Sequence, residues 1–431
     1  MDAIKTNYLD QLLEGHGRLP ASPLSWLNEL RSEALEHANA LRVPTTRDEE
    51  WRFTDLSPLY RTAFHPAERA AQVSDEALAA FVVPEAGSRL VFVDGQFAPH
   101  LSRMHTEGGV SVTAFAAPAA QQDERTQAHL GRIVDYRSDA FSAVNTAWLR
   151  DGALVLIKRD TSMQQPIHLL FVSVTPGTAT YPRALVVVEA GSRCTVIEEV
   201  ASLHGEAGFS NGVTEIAVGE NASVRHIRLQ RESTEAFHIG TCGIRIAGGG
   251  QCSSVNIALG ARISRYNLNL IQAGAGTQWQ VDGLALISGR QVADTHSFLD
   301  HAAPNGHSRQ QHRCIAGGAA HAVFNGKILV RPGAQRTDSG QQSRNLLLSD
   351  RAHIDAKPQL EIFADDVKCA HGATVGQLDA EQVFYLKSRG LAEQAARNLL
   401  TFAFAAEVVE RIGIPSLVSR LEDFALRQTQ Q

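Results

Sequence analysis

The 431-residue chain is poor in cysteine and has no excess of positive charge. Its five cysteines (Cys194, Cys242, Cys252, Cys314, Cys369) are scattered, with no CxxC and no closely spaced second pair. That excludes a disulfide framework and a metal cage built from this chain's thiols alone. Widely spaced thiols in odd number fit a reducing compartment, so a cytoplasmic protein is expected. Lys and Arg number 40 against 46 Asp and Glu, a net charge of −6, which leaves no basic footprint for nucleic acid. Nowhere do about eighteen apolar residues run together, and Met1 to Tyr8 has no apolar h-region, so neither a membrane span nor a signal peptide is expected. A phosphate-binding GxxxxGK[ST] loop is missing too. Gly326-Lys327 has His321 where the first glycine should be and Ile328 where Ser or Thr should be, so the chain is not expected to hydrolyse ATP.

The length exceeds that of a usual single compact domain, which calls for several domains or one elongated repeat. Ile4, Tyr8, Leu9, Leu12 and Leu13 share one helical face, stopped by Gly15 and Gly17. A second helix is predicted with Ser22 as N-cap and Pro23 at its first position, turning Leu24, Leu27, Leu30, Ala34, Leu35 and Leu41 inward and ending before Pro44. Trp51, amid the charges of Arg47 to Thr54, reads as an aromatic packing anchor. A short helix is predicted near Ser74 to Phe81, then a hairpin about Asp94-Gly95. Ala114 to Gln127 reads as a linker or loose helix, and Ser138 to Leu149 as a helix.

From Ala153 to about Leu378 the character changes to short apolar runs punctuated by glycine. Gly191, Gly219, Gly248 and Gly274 each close such a run, at intervals of 28, 29 and 26 residues. That period suggests stacked coils, each sealing its apolar face against the next, as in a parallel β-helix. A Greek-key sandwich also uses many short strands, and only the period speaks against it. The predicted division is a helical region over 1–90, a β-helix core with a leading hairpin over 91–378, and a helical region over 379–431. Open solenoid ends need covering, and helices at both termini are expected to cap them.

The stretch Lys368-Cys369-Ala370-His371-Gly372-Ala373-Thr374-Val375-Gly376 lies between a predicted strand (Pro358 to Ile362) and a predicted helix (Asp379 to Arg389). In an extended chain Val367, Cys369 and His371 share one face. A thiol and an imidazole supply two ligands where a tetrahedral zinc or iron–sulphur site wants four, so they are half a site that another chain would complete. The plainer reading makes Cys369 a small buried hydrophobe and His371 a core or turn histidine. Five histidines (His296, His301, His307, His312, His321) match no metal-ligand spacing. Asp379, with Gln382 three residues on, starts a capped helix that Gly390 stops. Leu391 to Ile412 and Pro415 to Arg427 follow as helices. Phe402 and Phe404 cannot share a helical face, so the long helix must be apolar on more than one side.

Arg336-Thr337-Asp338, Asn345-Leu346-Leu347-Leu348-Ser349-Asp350, Lys357-Pro358-Gln359-Leu360-Glu361-Ile362, Asp365 to Gly376 and Phe384-Tyr385-Leu386-Lys387-Ser388-Arg389-Gly390, in that order, resemble the signature of the SufB/SufD family of Suf iron–sulphur cluster assembly scaffolds. The Lys-Cys-x-His-Gly-Ala-Thr-Val-Gly form resembles the SufD branch rather than the SufB branch. The resemblance implies a mainly β fold, a right-handed parallel β-helix flanked by helical regions. It implies a non-catalytic scaffold that pairs with a SufB-like subunit and binds a SufC-like ATPase through its C-terminal helices, for which Phe384, Tyr385, Leu386, Arg389, Leu399, Leu400, Phe402 and Phe404 are the docking candidates. His371 matches the family histidine at the SufB interface beside the nascent cluster, and Cys369 is its same-face neighbour. No tightly bound cofactor is implied, only a transient iron–sulphur cluster in the complex; a reduced flavin there, and homodimer formation by the isolated chain, are left open. Two other readings keep the fold: a SufB-like scaffold accepting sulphur on Cys242, Cys252 or Cys314, and a polysaccharide-active β-helix enzyme. The second is disfavoured by the absent signal peptide.

Overall fold

A computed structural model describes residues 8–428 except 68, 118, 119 and 121. From Arg183 on, successive strands run alternately in two sheets, and each pairs in parallel with the strand two places along the chain, while Ala153–Ile157 and Ile167–Ser173 lead in by pairing in parallel with Arg183–Val188 and Arg193–Ser202. The result is a parallel β-solenoid of about eight coils. Its register reproduces the glycine spacing: Phe209 lies opposite Phe237, 28 residues on, and Phe237 opposite Ile263, 26 on. The glycines sit at the coil corners for steric reasons. A Cβ on Gly274 would stand 2.3 Å from the backbone nitrogen of Gly248 in the coil below, and Gly191 has φ +70°.

Alternation along each strand divides three layers. Cys194, Val196 and Val224 from one sheet meet Val186, Ile216 and Ile244 from the other inside the bore. The outer face of the first sheet, through Phe209, Phe237 and Ile263, is covered by the N-terminal region. The outer face of the second, through Ile227, Leu229, Val255, Ile257 and Leu284, is covered by the C-terminal helices. Strands buried on both faces cannot alternate cleanly, which is why Leu185 to Val188 reads as one apolar run.

The leading hairpin forms where predicted. Asp94 (φ 48°) and Gly95 (φ 80°) make its two-residue turn, and Phe92 pairs antiparallel with Phe97. Ile4 lies outside the described residues, but Tyr8, Leu9, Leu12 and Leu13 are buried together. The second helix runs Ser25–Ala40, not from Pro23. The Ser22 hydroxyl accepts from the Leu24 amide, and Asn28 both donates to and accepts from the Ser22 backbone, which locks that stretch into a turn. Trp51 is buried beneath the Arg265 guanidinium (4.3 Å to the ring), and Thr54 donates to Asp294 at 2.5 Å. The N-terminal region is thereby pinned to the solenoid.

The expectation that helices cap both ends is corrected. At the leading end the sheets finish in short antiparallel strands, Gln96–Phe97 and His105–Glu107. At the trailing end the C-terminal helices Glu393–Val409 and Pro415–Gln428 lie flat on the outer face of the second sheet, because that face is a continuous apolar strip while the coil end is not. The long helix is apolar on two sides because Phe402 and Phe404, on different faces, are both half-buried in the cluster that the second sheet forms with the C-terminal helices. Arg313 stacks 4.6 Å over Phe404 and also donates to its carbonyl and to Glu407.

Candidate functional site

The last strand of each sheet, His353–Ile362 in the first and Lys368–Gln377 in the second, has a ladder partner on one side only. Unpaired edges template further pairing unless blocked. The phase of each ladder shows which amides are unpaired. His353 donates to the Ala320 carbonyl and Phe363 to that of Val330, so odd-numbered residues pair inward and Pro358 falls among those facing the free edge. Proline there removes a donor its own sheet does not use, and it blocks further pairing. In the other strand Lys368 donates to the Thr337 carbonyl at 2.8 Å, so the amides of Cys369, His371, Ala373, Val375 and Gln377 face the free edge. That edge carries no proline. A Cβ on Gly372 or Gly376 would meet nothing within 4 Å.

Cys369 stands opposite Ser339 and His371 opposite Gln341, whose side chains turn into the bore. The predicted shared face is present: Cys369 is half-buried against the interior core with Val367 and Leu360, and His371 beyond it is exposed. Among the described residues none hydrogen-bonds the His371 imidazole. Burial and the Asp338 carboxylate push the Cys369 thiol up, against the pull of a hydrogen bond with the Ser339 backbone. The other four cysteines are fully interior. Burial pushes the thiols of Cys194, Cys252 and Cys314 up to about 12, and that of Cys242 well above its ordinary range. They are therefore inert thiols at neutral pH, and Cys369 alone reaches the surface.

Of the docking candidates, Phe384 is 73% exposed, Tyr385 56% and Leu399 42%. Arg389 is exposed and stacks on Tyr385 at 5.2 Å, on the capped helix Ala380–Ser388. Leu386 and Leu400 are half-buried, as are Phe402 and Phe404, which pack into the cluster formed by the second sheet and the C-terminal helices. Ile362, Phe363 and Val375 are exposed on the terminal strands and the residue after them. Among the described residues, most of the large apolar side chains left in solvent thus belong to the trailing end.

The histidine cluster divides. His301 stacks on Trp279 at 4.5 Å and His312 on Phe324 at 4.3 Å, and burial lowers their pKa values to about 4 and about 3. His296 is tied to Glu50 and Asp294 at 3.1 Å, and exposed His307 lies 3.6 Å from Asp338. His321 meets His353 and Asp355 on the outer face. Sequence reading missed a buried polar chain inside the bore: Glu198 accepts from Thr214 and His226, and Arg228 reaches Asn256 and His238. Burial raises the Glu198 pKa, but His226 and Arg228 outweigh it and leave it at about 2. The alternation of polar with apolar residues in Ser223–Arg231 looks like a solvated face, and only closure of the bore makes it interior.

Two family models match almost end to end: SufBD protein N-terminal region over residues 2–169, and SUF system FeS cluster assembly, SufBD core domain, over 171–404. An iron–sulfur cluster assembly SufBD family protein of Synechocystis is 41% identical over 95% of this chain and 93% of its own length. The iron–sulfur cluster assembly protein SufD of Escherichia coli is 33% identical over 86% and 85%, and that of Bacillus subtilis 26% identical over 97% and 96%. With a parallel solenoid whose terminal strand carries the Lys-Cys-Ala-His-Gly motif, and with both halves matched, the chain belongs to the SufBD family of the SUF iron–sulfur cluster assembly system.

Proposed function

We propose that this chain is the SufD-type scaffold subunit of an iron–sulphur cluster assembly complex, without catalytic activity or a tightly bound cofactor of its own. The observation that carries the reading is the unblocked ten-residue edge of Lys368–Gln377, with Cys369 and His371 beside it. A SufB-like subunit adds a strand to that edge, as extended segments add to open sheets elsewhere. The nascent cluster is cargo, held at the junction by the partner's ligands and by His371. A neutral imidazole binds iron and exchanges, which suits a cluster that must leave. The SufC-like ATPase docks on Phe384, Tyr385, Arg389 and Leu399, which are exposed in the helical region that follows that strand. The SufB-like alternative needs a reachable thiol that ionises near neutral pH, and the burial of Cys242, Cys252 and Cys314 weighs against it. No described helix is long and apolar enough to cross a membrane.

The test is His371→Ala in the chain co-expressed with its SufB-like and SufC-like partners. Complex yield and the thermal melt should match wild type, while cluster content after reconstitution falls. An unchanged cluster content would remove His371 from the site.

A further inference from the structure

On the outer face of the first sheet one row of side chains crosses six strands in register: Phe209, Phe237, Ile263, Val292, His321, His353. The first three are buried under the N-terminal region, and Val292 packs at its margin. Beyond that cover the row becomes two imidazoles on adjacent strands, and Asp355, two residues past His353, points the same way. Ala322 and Ile354 face the core, so the pleat holds all three side chains outward.

The three groups converge. The Asp355 carboxylate lies 2.7 Å from His321 Nε2 and 3.2 Å from His353 Nε2. The candidate ligand atoms of the set all lie within 4.8 Å of one another. Bonds of about 2.0–2.2 Å to zinc put tetrahedral ligand atoms roughly 3.5 Å apart. The set therefore needs only small side-chain rotations to surround an ion. His353 is exposed, which leaves room for that adjustment, while His321 and Asp355 are half-buried on rigid strands.

We propose that His321, His353 and Asp355 bind a divalent first-row transition metal ion. Two imidazoles and one carboxylate suit zinc, cobalt, nickel or ferrous iron better than calcium or magnesium, which take oxygen ligands. Three ligands leave open positions on the solvent side, so the ion keeps exchangeable water. The site lies on the opposite sheet from Cys369 and His371 and does not depend on the partner assignment. As a bare surface ion pair the same cluster would contribute little.

The experiment uses the tag-free, metal-stripped full chain in a Cys369→Ser, His371→Ala background, so that the terminal strand cannot supply ligands. Titration with Co²⁺ followed by visible absorption, and with Zn²⁺ by calorimetry, should give one site per chain without a thiolate charge-transfer band. Adding His353→Ala or Asp355→Asn should weaken binding by more than the ~10–100-fold that loss of even an outer-shell partner costs, with the thermal melt of the metal-free chain unchanged. Absence of binding, or binding that survives both substitutions, would overturn the proposal. Retained Co²⁺ binding in the His371→Ala background separates this site from the cluster site.

Discussion

Ala373→Pro tests the free edge directly. Its amide belongs to the set facing away from Asp338–Leu347, so a proline ring there removes no bond from the chain's own ladder. Gly372 before it is already extended, as a residue preceding proline must be. Pro358 occupies the same phase in the neighbouring terminal strand. The thermal melt of the isolated chain should therefore stay close to wild type. Strand addition by a partner loses one interchain hydrogen bond, about 1 kcal/mol, and leaves the partner's carbonyl unpaired, a further ~1–3 kcal/mol. A total of about 2–4 kcal/mol weakens binding by roughly 30- to 1,000-fold. Gly372→Pro is the control, because its amide points into the chain's own ladder and the variant should lose stability first. The assay is interferometry of the immobilised chain against the SufB-like subunit, with a melt of each variant. Wild-type affinity for Ala373→Pro would refute strand addition at this edge.

Three further outcomes follow from the packing. Phe384→Ala with Tyr385→Ala should abolish capture of the SufC-like ATPase in pull-down without lowering the melt, since both rings are exposed; removing the whole helical region would instead uncover the apolar strip on the second sheet and confuse unfolding with lost docking. Ellman's reagent should label one thiol, Cys369, in the native chain and all five after denaturation; rapid native labelling of a second would contradict the burial of the others. Acid should destabilise the fold in two stages. Native His301 and His312 stay neutral down to about 4 and 3 while the unfolded chain protonates near 6.5, so stability falls as pH drops through that window, by about 3 kcal/mol between pH 6.5 and 5. Glu198, with its native pKa of about 2 against 4.5 unfolded, adds a further loss between those values. A denaturation midpoint unchanged from pH 7 to 5 would refute the neutral buried state of these imidazoles.

Local chemistry was legible in the chain itself. The glycine interval fixed stacked coils because each corner brings backbone against backbone, as at Gly274 over Gly248. Asp94-Gly95 announced its turn because both positions need positive φ. Strand alternation put Cys369 and His371 on one face, and Asp379 capped its helix by accepting from the Glu381 amide. What the tertiary structure decided was everything that depends on register between coils of unequal length. His321 lies opposite His353, 32 residues on, while Phe237 lies opposite Ile263, 26 on. No fixed period predicts both, so the ligand group with Asp355 was invisible until the strands were aligned. The same holds for the phase that turns Pro358 to the empty edge, and for the C-terminal helices, which lie on the apolar outer face of the second sheet rather than across the open end. Sequence periodicity sets which way each side chain points along its own strand; only packing sets what stands beside it.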